Sequence, residues 1–272
     1  MKYYIADAFC DVLPGAPSES EIRWGGFTGN PAGVCILEEP LSAALMQSIA
    51  SENNLAETAF VVPRDDGGYD LRWFTPVTEI NLCGHATLAG AFILHEVLGA
   101  GKRAYRFRTM SGLLEVTPKG ELYEMDFPAW PLRQVEVTQQ MRQALGCDIL
   151  EAHQARDLIL LLEDEEAVRD LRPDFAAIAA LPEAFGVAVT ARGEDCDFVS
   201  RFFAPGEGIP EDHVTGSLHS MLIPFWAARL GRDALLARQL SPRGGTLYCE
   251  NHGNRVKISG RARLYLQGEI CV

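Results

Sequence analysis

The sequence predicts a mixed α/β (α+β) protein built from two similar halves, and three observations lead there. First, one type of segment occurs twice. Arg72-Trp73-Phe74-Thr75-Pro76 runs into Gly84-His85-Ala86-Thr87-Leu88-Ala89, and Arg201-Phe202-Phe203-Ala204-Pro205 runs into Thr215-Gly216-Ser217-Leu218-His219-Ser220. Each copy reads as a strand ending at proline, a connection carrying a carboxylate (Glu79; Glu211 and Asp212), and the small-residue start of a helix. Arg72 and Arg201 stand 129 positions apart, so two such units in one chain suggest halves that face one cleft. Second, apolar runs alternate between strand and helix periodicity along both halves. Third, the tail, residues 246–272, carries only alternating β patterns, such as Val256-Lys257-Ile258 and Leu264-Tyr265-Leu266.

Taken in order, residues 3–9 read as an opening strand, and Gly29-Asn30-Pro31-Ala32-Gly33 punctuates before the apolar run 34–37. Residues 41–53 read as a helix, because Leu45, Met46, Ile49 and Ala50 fall near helical spacing. Residues 54–62 lead into a strand, and 71–74 form another. Residues 87–98 read as a helix stopped by Gly99 and Gly101, and 105–116 as β structure turning at Ser111-Gly112. Pro118, Gly120, Pro128 and Pro131 then cluster, which places the domain boundary there. The second half reads as helix 138–145, strand 157–162, helices 164–171 and 174–181, strand 185–190, strand 198–203 and helix 217–230. The expected domains are residues 1–115, completed by a returning C-terminal segment, 255–272, and residues 116–254.

Composition narrows the function classes. The 272 residues are 47% hydrophobic and 22% charged, with a formal charge of −13, which argues against nucleic acid or an anionic membrane as partner. Seven cysteines are scattered with no Cys-x-x-Cys pair, so neither a disulfide framework nor a zinc knuckle is expected, and a reducing cytoplasm fits. No signal peptide is read at the N-terminus, and no apolar stretch approaches the roughly 20 residues of a membrane span.

The motifs also resemble a family. Gly29-Asn30-Pro31-Ala32-Gly33-Val34, Asn54-Leu55-Ala56-Glu57-Thr58-Ala59-Phe60, Phe74-Thr75-Pro76 with Glu79, Leu82-Cys83-Gly84-His85-Ala86-Thr87, and Glu211-Asp212-His213-Val214-Thr215-Gly216-Ser217 are similar, in order and spacing, to the motif series of the PhzF-type phenazine-biosynthesis family. The resemblance implies a fold like that of diaminopimelate epimerase: two pseudo-symmetric domains, each wrapping β-sheet around a central helix, with the active site in the interdomain cleft. It implies isomerase chemistry without cofactor or metal, a small anionic metabolite as substrate, and a homodimer. It also implies Glu57 as general acid/base, His85 and Asp212 as groups that orient or exchange protons with substrate, and Asn30, Gly84, Thr215, Gly216 and Ser217 as substrate-binding. His213 departs from the pattern, standing where many members carry proline or a small residue. Ala56 stands where the phenazine enzyme has serine, so the resemblance does not extend to that enzyme's substrate.

The residues support these roles on their own chemistry. Glu57 lies among Leu55, Ala56, Ala59 and Phe60, an apolar setting that raises a carboxyl pKa toward neutrality; a surface glutamate is the plain alternative. His85 follows Gly84 at a helix start, where amides favour anions and the dipole lowers a histidine's pKa; the alternative is a structural cap. Asp212 precedes Thr215-Gly216-Ser217, whose amides suit a carboxylate, although aspartate there also serves as an ordinary cap. Four rival readings share the residues. A Cys83-centred racemase or epimerase lacks its second cysteine, the matching place being His213. A serine hydrolase of Ser217, His85 and Asp212 lacks a Gly-x-Ser-x-Gly elbow. A metal site of Asp212, His213 and His219 lacks a compact motif. A metabolite-binding scaffold keeps the fold without turnover.

Overall fold

The computed structural model describes residues 1–11, 27–182 and 185–272. Among them the fold is mixed α/β, as expected, and the residues group into two compact units, Met1–Asp126 with Ser259–Val272, and Phe127–Ile258.

In chain order the first unit carries β1 (Lys2–Ala8), β2 (Asn30–Ile36), α1 (Ala43–Asn53), β3 (Glu57–Pro63), β4 (Tyr69–Phe74), β5 (Glu79–Ile80), α2 (Gly84–Phe92), β6 (Tyr105–Thr109), β7 (Gly112–Lys119) and the start of β8 (Leu122–Pro128). The second carries β9 (Arg133–Val135), α3 (Gln139–Leu145), β10 (Glu151–Gln154), β11 (Leu158–Leu161), α4 (Glu165–Arg169), α5 (Phe175–Ala179), β12 (Val187–Arg192), β13 (Phe198–Ala204), β14 (Ile209–Asp212), α6 (Gly216–Leu230), β15 (Ala234–Gln239), β16 (Gly245–Asn251) and most of β17 (Arg255–Gly260). The last strand, β18 (Ala262–Glu269), returns to the first unit and pairs antiparallel with β1 from Lys2↔Glu269 to Ala8↔Ala262.

Each unit repeats one topology. In the first, β1 pairs antiparallel with β2, β2 parallel with β3 across α1, β3 antiparallel with β4, and β4 parallel with β6 across α2. In the second, β10 pairs antiparallel with β11, β11 parallel with β12 across α4 and α5, β12 antiparallel with β13, and β13 parallel with β15 across α6. A parallel pair needs such a crossover, and helices supply it.

Local chemistry explains the elements. Ser42 Oγ accepts from Leu45 N at 3.2 Å to start α1, and Asn54 closes it in the left-handed conformation at φ 49°. Met46, Ile49 and Ala50 of α1 pack with Phe60 and Phe74 of the sheet. Asp164 and Asp174 cap α4 and α5 in the same way. α2 is different: every residue from Gly84 to Ala91 is buried. A helix apolar on all sides belongs in the middle of its unit, and α2 touches β1, β2, β3, β7 and β18.

The helix read over 87–98 begins three residues earlier and passes at Ile93–Val97 into a π-helical turn. The proline-rich stretch after residue 116 is not irregular. Pro118 lies inside β7 opposite Tyr123 of β8, and Gly120 at φ +62° makes the turn between them. Proline reads as a breaker locally, yet it is tolerated wherever its missing N–H is not required by the ladder.

Candidate active site

Three element ends converge in the first unit. Asn30 opens β2, Glu57 opens β3, and Cys83 and His85 flank the first residue of α2. The parallel register, Ala32↔Glu57, sets the strand starts side by side. The turn into β2 needs Gly29, because its φ is +81° and a Cβ there would lie 2.4 Å from the Ala8 carbonyl oxygen.

Glu57 Oε2 lies 3.1 Å from His85 Nε2. Both atoms are buried and neither has an aligned hydrogen-bond partner, so they are in contact without being locked together. On the other side of the ring, Asn30 Nδ2 is 3.2 Å and Cys83 Sγ 3.5 Å from His85 Nδ1. A half-turn of the Asn30 amide presents its oxygen instead, so Asn30 can meet Nδ1 with or without a proton.

His85 corrects one expectation. Burial alone would push its pKa down, but the adjoining Cys83 and Glu57 outweigh burial and hold it well above the usual histidine value. A helix start lowers a histidine; a carboxylate at contact distance does the reverse, and more strongly. Burial pushes the Cys83 thiol up to about 11, with the Glu57 charge adding to it. Near neutral pH the Cys83 sulphur therefore keeps its proton and is poorly suited to act as a base.

The second unit gathers a different set. Thr215 Oγ1 donates to Asp212 Oδ2 at 2.6 Å. Gln239, fully buried on β15, accepts from Thr215 N at 2.8 Å and donates to the Asp212 carbonyl at 2.9 Å and to Thr215 Oγ1 at 3.1 Å. Arg156 donates to Ser217 Oγ at 3.1 Å and to Asp157 Oδ2 at 2.7 Å, with its guanidinium over the rings of Trp130 and Phe185. Asp212 thus receives the Thr215 hydroxyl, and no side chain caps α6.

The absent caps are shared by the two repeated helices. Neither Cys83 before α2 nor Thr215 before α6 accepts a helix N–H through its side chain, whereas Ser42, Thr138, Asp164 and Asp174 all do so for the other helices. First-turn amides at α2 and α6 are left without side-chain acceptors, the arrangement that suits an anion.

Glu79 and Glu211, two of the connection carboxylates, are clamped by arginines. Glu79 takes both ends of the Arg72 fork at 2.6 and 2.7 Å, and Glu211 takes both ends of the Arg201 fork at 2.7 and 2.9 Å. The serine-hydrolase relay has no support in these contacts: Ser217 Oγ is met by Arg156, Asp212 by Thr215, and the His85 nitrogens by Asn30, Cys83 and Glu57. Nor do Asp212, His213 and His219 group as metal donors; among the described residues the donor group is Glu57, Cys83 and His85, one atom of each within 4.8 Å of the others. A cavity of about 510 Å³ among Met46, Phe60, Val62 and Leu71 is lined by none of Glu57, Cys83, His85, Asp212 and Ser217.

Sequence reasoning missed Gln239 and Arg156. A lone glutamine in a strand carries no signal, while Arg156-Asp157 ahead of an apolar run hints at a fixed charge and no more.

Comparison with known proteins agrees with this architecture. A family model described as phenazine biosynthesis-like protein, PhzC-PhzF, matches residues 25–268. A protein of Pseudomonas aeruginosa described as an uncharacterized isomerase is 51% identical over 90% of this chain and 93% of its own length. One of Halalkalibacterium halodurans, also described as an uncharacterized isomerase, is 40% identical over 98% of this chain and 97% of its own. The crystal structure of a PhzF-family protein from Enterococcus faecalis superposes with a TM-score of 0.92 at 47% identity, covering 100% of this chain and 99% of that one. A probable proline racemase from Agrobacterium radiobacter, at 10% identity and a TM-score of 0.62 over 100% of this chain and 93% of its own, shares the fold.

Proposed function

The chain belongs to the PhzF-type phenazine biosynthesis-like family, and from that premise we propose that it is an isomerase that moves a proton on a small carboxylate-bearing metabolite by acid/base catalysis. The observation that carries this reading is the buried contact of Glu57 Oε2 with His85 Nε2, 3.1 Å apart and otherwise without hydrogen-bond partners. A carboxyl group and an imidazole at that distance can exchange a proton, so one can act as base while the other stabilises charge.

With His85 holding its proton, Glu57 is the carboxylate that removes a proton from a carbon acidified by unsaturation or by an adjoining carboxyl or amino group. The carboxylic acid so formed returns the proton at another carbon, and an isomer results. The imidazolium of His85 stabilises negative charge in between. In this scheme the amide of Gly84, at the uncapped start of α2, is the anion-binding group beside Glu57. Asn30 also positions the His85 ring in this scheme, its Nδ2 lying 3.2 Å from His85 Nδ1. A racemase reading on Cys83 is less well supported, because its thiol is held in the protonated form. The proposal includes a homodimer, and a reducing cytoplasm suits seven free cysteines. Among the described residues no helix is long and apolar enough to cross a membrane.

The test is solvent-deuterium incorporation into a panel of small carboxylates, dihydroaromatic and amino acids included. Wild-type protein is expected to exchange a C–H bond in one class, and Glu57→Gln to lose that exchange. Binding without exchange by the wild type would assign the protein to the scaffold reading.

A further inference from the structure

The two sides of β3 carry different side chains. Successive strand residues point to opposite faces, so Ala59 and Val61 share the face of Glu57, the α2 side, where a Cβ on Gly90 would lie 3.7 Å from Val61. Phe60 and Val62 stand on the other face and pack with Met46 of α1. α1 lies over β3 and β4, and between it and Met110, past the end of β6, is the cavity of about 510 Å³. That volume falls within the roughly 300–1,000 Å³ of small-molecule pockets.

The lining is mostly aliphatic, including Leu41, Met46, Val62, Leu71 and Met110, and Phe60 is its one aromatic ring among the described residues. Its charged groups are Arg72, Arg108 and Asp70, set side by side by the registers Phe60↔Arg72, Val62↔Asp70 and Asp70↔Arg108. Glu79 grips Arg72, and Asp70 grips Arg108, along the Nε and Nη2 edge of the guanidinium; Asp70 also takes Arg64. Among the described residues neither Arg72 Nη1 nor Arg108 Nη1 meets a protein acceptor. Each arginine therefore keeps two N–H groups for a ligand.

We propose that this cavity binds a medium-chain aliphatic monocarboxylate, with its chain along Phe60, Val62 and Leu71 and its carboxylate at the Nη1 groups of Arg72 and Arg108. Two guanidiniums against one carboxylate select an anionic head, through charge-assisted hydrogen bonds. An aliphatic wall with a flexible methionine on each side suits a flexible chain better than a rigid ring. The site opens on the face of β3 opposite Glu57, so it does not rest on the isomerase reading.

The test is calorimetry on the whole purified protein with hexanoate, octanoate and decanoate, and with octanol and octylamine as controls. One equivalent of octanoate is expected to bind, with affinity rising roughly fourfold per added methylene until the cavity is full. Octanol should bind about tenfold more weakly than octanoate, and octylamine not at all. Arg108→Gln should bring octanoate down to the level of octanol and leave octanol unchanged, with Arg108→Lys restoring part of the difference; equal weakening of both probes would overturn the role of the guanidinium. Val62→Trp fills the cavity and should abolish binding, with circular dichroism establishing that the variant is folded. Met110→Asp, a change at a 62%-exposed position, sets a negative charge against the ligand and serves if Val62→Trp does not fold. Octanoate that still binds folded Val62→Trp sits elsewhere, the Glu57 cluster included, and would overturn the proposal. Absence of binding by the wild type would also overturn it, and conversion of a sedimenting dimer to monomer by Val62→Trp would then assign this face to a second copy of the chain.

Discussion

The two units set different side-chain clusters on one scaffold. Each sets an arginine on a strand, stacks it over the phenylalanine two residues on, and clamps it with a glutamate from the connection ahead of an uncapped helix: Arg72, Phe74 and Glu79 in one, Arg201, Phe203 and Glu211 in the other. The registers Thr58↔Phe74 and Val187↔Phe203 then make Gly186 the counterpart of Glu57. A Cβ at Gly186 would lie 2.2 Å from the Phe202 ring, so the second unit has no space for a side chain where the first carries Glu57. It offers hydroxyls and amides instead, held by Gln239. The frame is repeated, and the side chains at one strand start divide the two units.

The largest expected effect breaks that division directly. Glu57→Gln keeps shape and polarity but cannot shuttle a proton, so turnover, read as deuterium incorporation, should fall roughly 100-fold or more while binding persists. Near-normal incorporation would remove Glu57 as the base.

The shared clamps should differ in worth because they differ in burial. The Arg201 side chain is 7% exposed against 37% for Arg72, and Arg201 also donates to the carbonyls of Val168 and Leu171. Arg201→Ala is expected to cost about 4 kcal/mol, the usual range for breaking a buried pair. Arg72→Ala should cost about 1 kcal/mol, since its pair is solvent-screened. Denaturant unfolding of both variants measures the difference, and equal costs would refute the argument from burial.

A pH titration separates the units by sign. His219 is buried and donates through Nδ1 to the Thr215 carbonyl at 2.9 Å, and burial pushes its pKa down to about 4. Between there and the unfolded value of about 6.5 the unfolded chain binds the extra proton, so stability falls as pH drops through that window. The loss is of order 3 kcal/mol, at about 1.4 kcal/mol per pKa unit. His85 is raised, so its contribution is complete below about 6.5 and is lost as pH climbs through its folded pKa. His219→Gln should flatten the acid limb and His85→Gln the alkaline one; a single limb abolished by both would show that the two histidines are not independent.

The smallest effect tests the vacant counterpart. Gly186→Ala is expected to destabilise by about 2 kcal/mol through overpacking against buried Phe202, and to leave deuterium exchange unchanged. A neutral substitution would show that the second unit is not closed to a side chain there.

The sequence by itself determined the repeat, the alternating elements and the helix starts at Asp164 and Asp174, and it singled out Glu57. These follow from periodicity, capping and turn chemistry, which act within a few residues. It did not determine the charge state of His85, where the expected lowering became a raising, nor Asp212's hydroxyl partner, nor the role of Gln239. Those depend on neighbours that only the fold delivers: Asn30 meets His85 across 55 positions of chain, and Gln239 meets Thr215 across 24. A pKa is set by whichever charge and burial lie within a few ångströms, and that distance is a property of the packed tertiary structure.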